Sequence, residues 1–187
     1  LKITFGADEE KKEILEEISY GVDTLNKIIN ELLNYSRPMK LEPAHVRVED
    51  LVEQAVSLSA EEIRKISLSI NLEQPDKTVR VDPTKVVQVL VNLISNAADA
   101  MPEGGTVSIR SFSREDGLIF SVSDTGMGIK EEDMERIFEP FFTTKSRGTG
   151  LGLSLCKKIV GAHHGSLRIT GRPGEGTTAE VLLKEEE

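Results

Sequence analysis

Residues 82–101, DPTKVVQVLVNLISNAADAM, constrain the fold more than any other stretch of this chain. Asp82 is a good N-cap, and Pro83 suits the first helical position, where its missing N–H is not needed. Val86, Leu90, Leu93 and Ala97 recur at helical spacing and predict a buried face. Lys85, Gln88, Asn92, Asn96 and Asp99 share the opposite face. A solvated face usually carries Lys and Glu, which are good helix formers, whereas Asn in a helix interior is a poor one. Two asparagines one turn apart therefore ask for a polar partner other than water. A magnesium-phosphate group is one candidate, because a carboxamide oxygen is a hard ligand for that ion; an ordinary solvated face is the plain alternative.

The 187 residues suffice for one domain of ordinary size with an appendage. No apolar run reaches membrane-spanning length. The chain begins at Leu1 without a signal-like segment and reads as a cytoplasmic piece of a protein that is either soluble or membrane-anchored. A net charge of -9 argues against non-specific nucleic-acid binding, while leaving room for a small anionic ligand held by local cations. Cys156 is the single cysteine, so it has no disulfide partner in the chain and reads as a small buried side chain.

The pattern predicts two domains, 1–37 and 38–187. Residues 9–35 read as one long helix in which Ile14, Ile18, Gly21, Leu25, Ile28 and Leu32 form a stripe that Leu15, Val22 and Ile29 widen. A stripe this wide asks for partner helices in a bundle. Ser36-Arg37-Pro38 closes it, since the residue before proline is pushed away from helical geometry. Beyond that boundary strands and helices mix. Strands are expected over 41–48, 67–72, around Val79, and over 106–112, 118–124, 166–170 and 177–183. Helices are expected over 49–65, 131–138 and 151–163, besides the asparagine-bearing one.

In the strand 118–124, Leu118, Phe120 and Val122 share one face by period two, and Asp124 continues it. A carboxylate ending an apolar row is unfavourable unless hydrogen-bonded. It is either a ligand contact or the capping Asp of the turn DTGMG. Gly148, Gly150 and Gly152 lie before and at a helix N-terminus, where free N–H groups and the positive dipole end suit phosphate. Lys145 and Arg147 add cations just upstream.

In this order, NLISNAADAM, DTGMGI, FEPFF, GTGLGL and the closing GEGTTAEVLL resemble the motifs of the catalytic ATP-binding domain of sensor histidine kinases, over about residues 41–183. LLNYSRP is similar to the end of the second helix of that family's dimerisation and phosphotransfer hairpin. The resemblance implies an α+β, two-layer α/β sandwich, a mixed sheet packed on helices, of the histidine-kinase, gyrase and heat-shock ATPase type. A long helix of a helical bundle would precede it. It implies ATP and Mg2+ as ligands. Asn96 would hold magnesium, with Asn92 near the phosphates, and Asp124 would accept from the adenine amino group. Gly126 and Gly128 would let the backbone approach the nucleotide. Phe138, Phe141 and Phe142 would anchor a mobile lid from which Lys145 and Arg147 meet the phosphates. Gly148, Gly150 and Gly152 would hinge that lid and supply N–H donors, with Thr149, Leu151 and Thr177 completing the ATP site. Asn92, Asn96 and Lys145 would carry catalysis.

Two departures matter. The family's acceptor histidine lies on the first helix of the hairpin, whereas this chain has only His45, His163 and His164. The implied activity is therefore transfer of the ATP γ-phosphoryl group to a histidine absent from this chain. Asp99 is the second departure, because many relatives carry a basic residue there to meet phosphate. The implied partners are a histidine-bearing helix of the parent kinase, a response regulator and a second copy joined through the hairpin. The alternatives are an ATP-hydrolysing chaperone or topoisomerase relative, which would place a glutamate where Asn92 stands, a non-catalytic ATP-binding scaffold, and a serine kinase of the anti-sigma type.

Overall fold

The computed structural model describes residues 11–12, 14–15, 18–19, 21–22, 25, 29, 32–33, 39–145 and 148–184. The chain divides into two compact units, Leu1–Pro38 and Met39–Glu187. In the first unit the described residues are helical, and the stripe is exposed: Ile14, Leu15, Ile18, Val22, Leu25, Ile29 and Leu32 keep 44–65% of their surface. Ile28 lies outside the described residues.

The second unit begins with β1 (Ala44–Arg47) and α1 (Val48–Leu58), followed by β2 (Ile66–Leu72) and β3 (Thr78–Val81). α2 (Pro83–Asp99) then leads to β4 (Gly105–Arg114) and β5 (Gly117–Asp124). After the short α3 (Glu131–Met134) come α4 (Gly152–Ala162), β6 (Ser166–Gly171) and β7 (Thr177–Leu183). The main sheet has the order β2-β4-β5-β7-β6. β2 pairs parallel to β4, from Ile66 opposite Gly105 to Leu72 opposite Ser111, and the other neighbours are antiparallel. β1 and β3 form a separate antiparallel ribbon. One sheet face is covered: Val107 and Ile109 of β4, Leu118, Phe120 and Val122 of β5, and Ala179, Val181 and Leu183 of β7 join the core beneath the helices. This is the expected α+β two-layer arrangement with a mixed sheet.

α2 is the central helix, touching α1, α4 and β5. Asp82 caps it, its Oδ1 accepting from the Lys85 N–H at 3.1 Å, and Pro83 opens it. Its buried face is wider than the predicted stripe. Val87, Val89, Ile94 and Ala98 join Val86, Leu90, Leu93 and Ala97, because helices flank it on top of the sheet. Only a narrow polar strip remains, and that strip carries the asparagines.

Two expected helices are shorter than their periodicity predicts. The one over 49–65 stops at Leu58, where the Ser59 hydroxyl donates back to the Ala55 carbonyl at 2.9 Å, and turns fill 59–65. Serine competes for backbone groups in this way and favours helix ends. The one over 131–138 is a single turn, Glu131–Met134, with three acidic residues and no side-chain cap. Ile137 and Phe138 reach the core from turns instead.

Candidate functional site

Asn92 and Asn96 stand on successive turns of α2, half-buried on its polar strip. The first turn of α4 faces Asn92, since a Cβ built on Gly152 would lie 3.6 Å from Asn92 Oδ1. Cys156, one turn further along α4, is buried, and its Sγ donates to the Val89 carbonyl of α2 at 3.9 Å. Burial pushes its thiol up to about 12, so it is a neutral packing group. α4 starts with no side-chain cap on its first N–H groups, and this end of the helix lies beside Asn92 of α2. Leu151 is buried at the α4 N-cap. Its N–H donates to Thr149 Oγ1 at 3.3 Å.

The end of β5 meets the end of α2. The Met127 N–H donates to the Ala100 carbonyl at 3.1 Å, and this fastens the turn after Asp124 to the last turn of α2. Asp124 Oδ1 accepts from the N–H of Gly126 at 2.8 Å and of Thr177 at 3.2 Å. The carboxylate therefore does cap its own turn, and it also holds the start of β7. Burial pushes the Asp124 carboxyl up, and these donors offset part of that shift.

The glycines divide by what a Cβ would meet. At Gly126 it would lie 2.6 Å from the Ala100 carbonyl oxygen, and at Gly128, with φ 71°, it would strike the Arg172 carbonyl. The chain's own backbone thus accounts for both glycines. Gly150, with φ 70°, lies against Phe141, whose N–H donates to the Gly150 carbonyl at 3.0 Å. Gly148 donates its N–H to the Lys145 carbonyl at 3.3 Å. Gly152 alone of these faces a polar side chain of α2.

Of the three phenylalanines, Phe138 packs on the core with Lys157 Nζ 5.1 Å from its ring centre. Phe142 lies under the Arg136 guanidinium at 4.3 Å. Phe141, with φ 70°, is 60% exposed and anchors nothing by burial. Lys145 reaches α2, its Nζ donating to Asn96 Oδ1 at 2.9 Å and to Asp99 Oδ2 at 2.8 Å. Arg147 lies outside the described residues. A depression of about 300 Å³ on the β6–β7 hairpin includes Thr177 but none of the asparagines.

Sequence reasoning placed Asn92, Asn96, Asp124 and Gly152 where two helices and a strand end converge. It missed Cys156 behind Asn92 and the Asp99 contact with Lys145. The spacing of Gly152 and Cys156, one helical turn apart, was the available signal for the first. His163 at the α4 C-cap is buried. The Asp82 N–H donates to its Nε2 at 3.0 Å, which leaves Nδ1 to donate to the Ile159 carbonyl at 2.9 Å. That pairing fixes a neutral tautomer engaged in structure. Among the described residues no group of three or more His, Cys, Asp or Glu side chains could hold a metal, and no helix is long and apolar enough to cross a membrane.

The family described as Histidine kinase-, DNA gyrase B-, and HSP90-like ATPase matches residues 81–187. The sensor histidine kinase ZraS of Salmonella typhimurium (strain LT2) is 33% identical over 180 residues, covering 95% of this chain and 39% of ZraS. The chain thus spans about two fifths of that relative's length. Full-length ShkA in complex with AMPPNP is similar in structure, with a TM-score of 0.81 and 26% identity over 95% of this chain and 40% of that one. The histidine kinase ThkA in complex with the response regulator protein TrrA has a TM-score of 0.78 and 32% identity, covering 100% of this chain and 53% of ThkA.

Proposed function

Because this chain belongs to the histidine kinase-, DNA gyrase B- and HSP90-like ATPase family, we propose that it is the ATP-binding kinase domain of a two-component sensor histidine kinase. The observation that carries this reading is the meeting of Asn92, one turn before Asn96 on α2, with the uncapped N-terminus of α4. A triphosphate there would find N–H donors and the positive dipole end on one side and two carboxamides on the other. The Asp124 carboxylate, tied to the end of α2, would accept from the adenine amino group through lone pairs that its turn does not use. Asn96 fits magnesium, since its Oδ1 is a hard oxygen that already accepts from an ammonium. Magnesium, when bound, would neutralise charge on the phosphate oxygens.

Asn92 gives this site its character as a kinase. A carboxamide cannot take a proton from water, so the site offers positioning without a general base. The incoming nucleophile would be an imidazole nitrogen of a histidine-bearing helix. It forms a P–N bond to the γ-phosphorus as the P–O bond to ADP breaks, and its ring then loses the proton from its other nitrogen. Phosphoryl transfer of this kind rests on alignment and charge stabilisation rather than covalent help from the protein. Of the chain's own histidines, His163 is a poor acceptor, because it is buried in two hydrogen bonds. A response regulator would take the phosphoryl group onward, the kind of protein with which ThkA is found in complex. The exposed stripe from Ile14 to Leu32 fits pairing with a second copy and with further helices of a cytoplasmic hairpin.

Calorimetric titration with ATP, with and without Mg2+, tests the site, and labelled ATP with a supplied histidine-bearing hairpin tests the transfer. Metal-dependent binding and acid-labile label on the hairpin are expected. Equal affinity with and without the metal would defeat the magnesium role of Asn96. Brisk ATP hydrolysis that disappears in Asn96→Ala would favour an ATPase instead.

A further inference from the structure

The contact between Lys145 and Asp99 is left unused by this reading. Lys145 Nζ donates to Asn96 Oδ1 at 2.9 Å and to Asp99 Oδ2 at 2.8 Å. The two acceptors stand three residues apart on α2, so one ammonium spans its last turn. Asn96 Oδ1 is also the atom assigned above to magnesium, and an ammonium and a divalent cation repel each other at one oxygen.

We propose that Asp99 is a positioning residue, a catch that holds the Lys145 ammonium on Asn96 Oδ1 so that Lys145 and magnesium exclude each other there; this rests on the reading of Asn96 as the metal-holding residue. Release of Lys145 from Asp99 then frees the Asn96 oxygen and a cation for the phosphates in one movement. The plain alternative is a surface ion pair without consequence, since Lys145 and Asp99 are 37% and 53% exposed and such pairs are weak. Three observations weigh against it. The ammonium has two oxygen acceptors on a single helix turn. The Lys145 N–H is held by Thr143 Oγ1 at 3.1 Å, which fixes the base of the side chain. Of the two acceptors, Asn96 is half-buried and belongs to the site rather than to the open surface.

The sign of one substitution separates the two accounts. Asp99→Asn removes a negative charge three residues from Asn96, and charge alone then predicts weaker attraction for magnesium. The catch predicts the reverse, because its loss removes an internal competitor. Two measurements follow on the intact chain. Without nucleotide or metal, a lysine-specific protease should cut after Lys145 roughly two- to fivefold faster in Asp99→Asn than in wild type, the range set by a partly exposed ion pair. Cleavage is followed at that bond by mass spectrometry. With ATP present, the Mg2+ concentration that half-saturates nucleotide binding should be lower in Asp99→Asn. Unchanged cleavage, or a raised Mg2+ midpoint, overturns the proposal. A wild type that binds no ATP would overturn the functional reading instead, and the protease result then decides the catch alone. Asp99 is exposed at the end of α2, so its replacement leaves the core intact.

Discussion

Gly152→Ala should make the protein more stable and a worse ATP binder at once. Gly152 is the first residue of α4 and its φ is not positive, so alanine fits the backbone. The added Cβ would meet only Asn92, at 3.6 Å from Oδ1 and 3.8 Å from Cγ, which is ordinary contact. Replacing a helical glycine by alanine at such a site typically adds about 0.4–1 kcal/mol, chiefly by restricting the unfolded chain. For a chain of this size that is a rise of about 1–4 °C in Tm. The same methyl group would stand between the α4 N-terminus and Asn92, where a phosphate oxygen must come within about 3 Å of the N–H donors. Loss of one hydrogen bond to a charged group is worth about 1.5–3 kcal/mol. That converts to roughly a 10- to 150-fold rise in Kd for Mg-ATP. Thermal unfolding of the free protein and calorimetric titration read the two effects separately. A raised Tm with Kd within about twofold of wild type would show that phosphate does not pass Gly152. A lowered Tm would refute the packing on which the prediction rests.

Three further outcomes are expected. Asp124→Asn should weaken ATP by about 1.5–3 kcal/mol, measured against an unchanged affinity for phosphate-only ligands, and should also change how stability depends on pH. Burial raises the Asp124 pKa in the folded state, so the wild type loses stability as pH rises from the unfolded to the folded pKa. The advantage of Asn over Asp in urea unfolding should therefore be larger at about pH 7 than at about pH 4; the opposite trend would mean that the carboxylate is stabilised where it sits. Asn92→Glu, if it still binds Mg-ATP, should raise phosphate release measurably, since general-base help is worth about 10²–10⁴-fold; no rise in a binding-competent variant would place Asn92 away from the attacking nucleophile. Gly128→Ala should destabilise by more than the roughly 1–2 kcal/mol of a left-handed alanine, because the new Cβ would also strike the Arg172 carbonyl. An unaltered urea midpoint would refute this.

The start and course of α2 were legible because their signals are local: the cap, the proline and the 3.6-residue period all lie within one helix length, whereas the width of its buried face depends on the helices that flank it. The helices expected over 49–65 and 131–138 were over-read for the same reason. Apolar spacing continued past Leu58 and Met134, while the Ser59 back-bond closed the first helix and turns follow Met134 in the second. Asn92, Asn96 and Asp124 could be picked out because each is an unusual residue for its local setting. The partners of these residues could not. Lys145 finds Asp99 across 46 positions, and nothing in either neighbourhood announces the other. The glycines show the same limit in another form. Their spelling is uniform, yet Gly126 and Gly128 accommodate the chain's own carbonyls, and of these three only Gly152 turns toward a polar side chain of α2.

The parallel pairing of β2 with β4 bears on the order in which the domain folds. Antiparallel β4–β5 and β6–β7 are joined by short turns, so they can form early at small entropic cost. β2 can pair with β4 only after the chain has run through β3 and the whole of α2, a non-local closure that slows folding. α2 is that crossover, and it carries Asn92 and Asn96, whereas Asp124 ends a strand of the early hairpin. The two halves of the proposed nucleotide site thus come from segments expected to fold at different times. Amide exchange during refolding should protect β4 and β5 before β2, and nucleotide added at the start should speed the late phase rather than the early one.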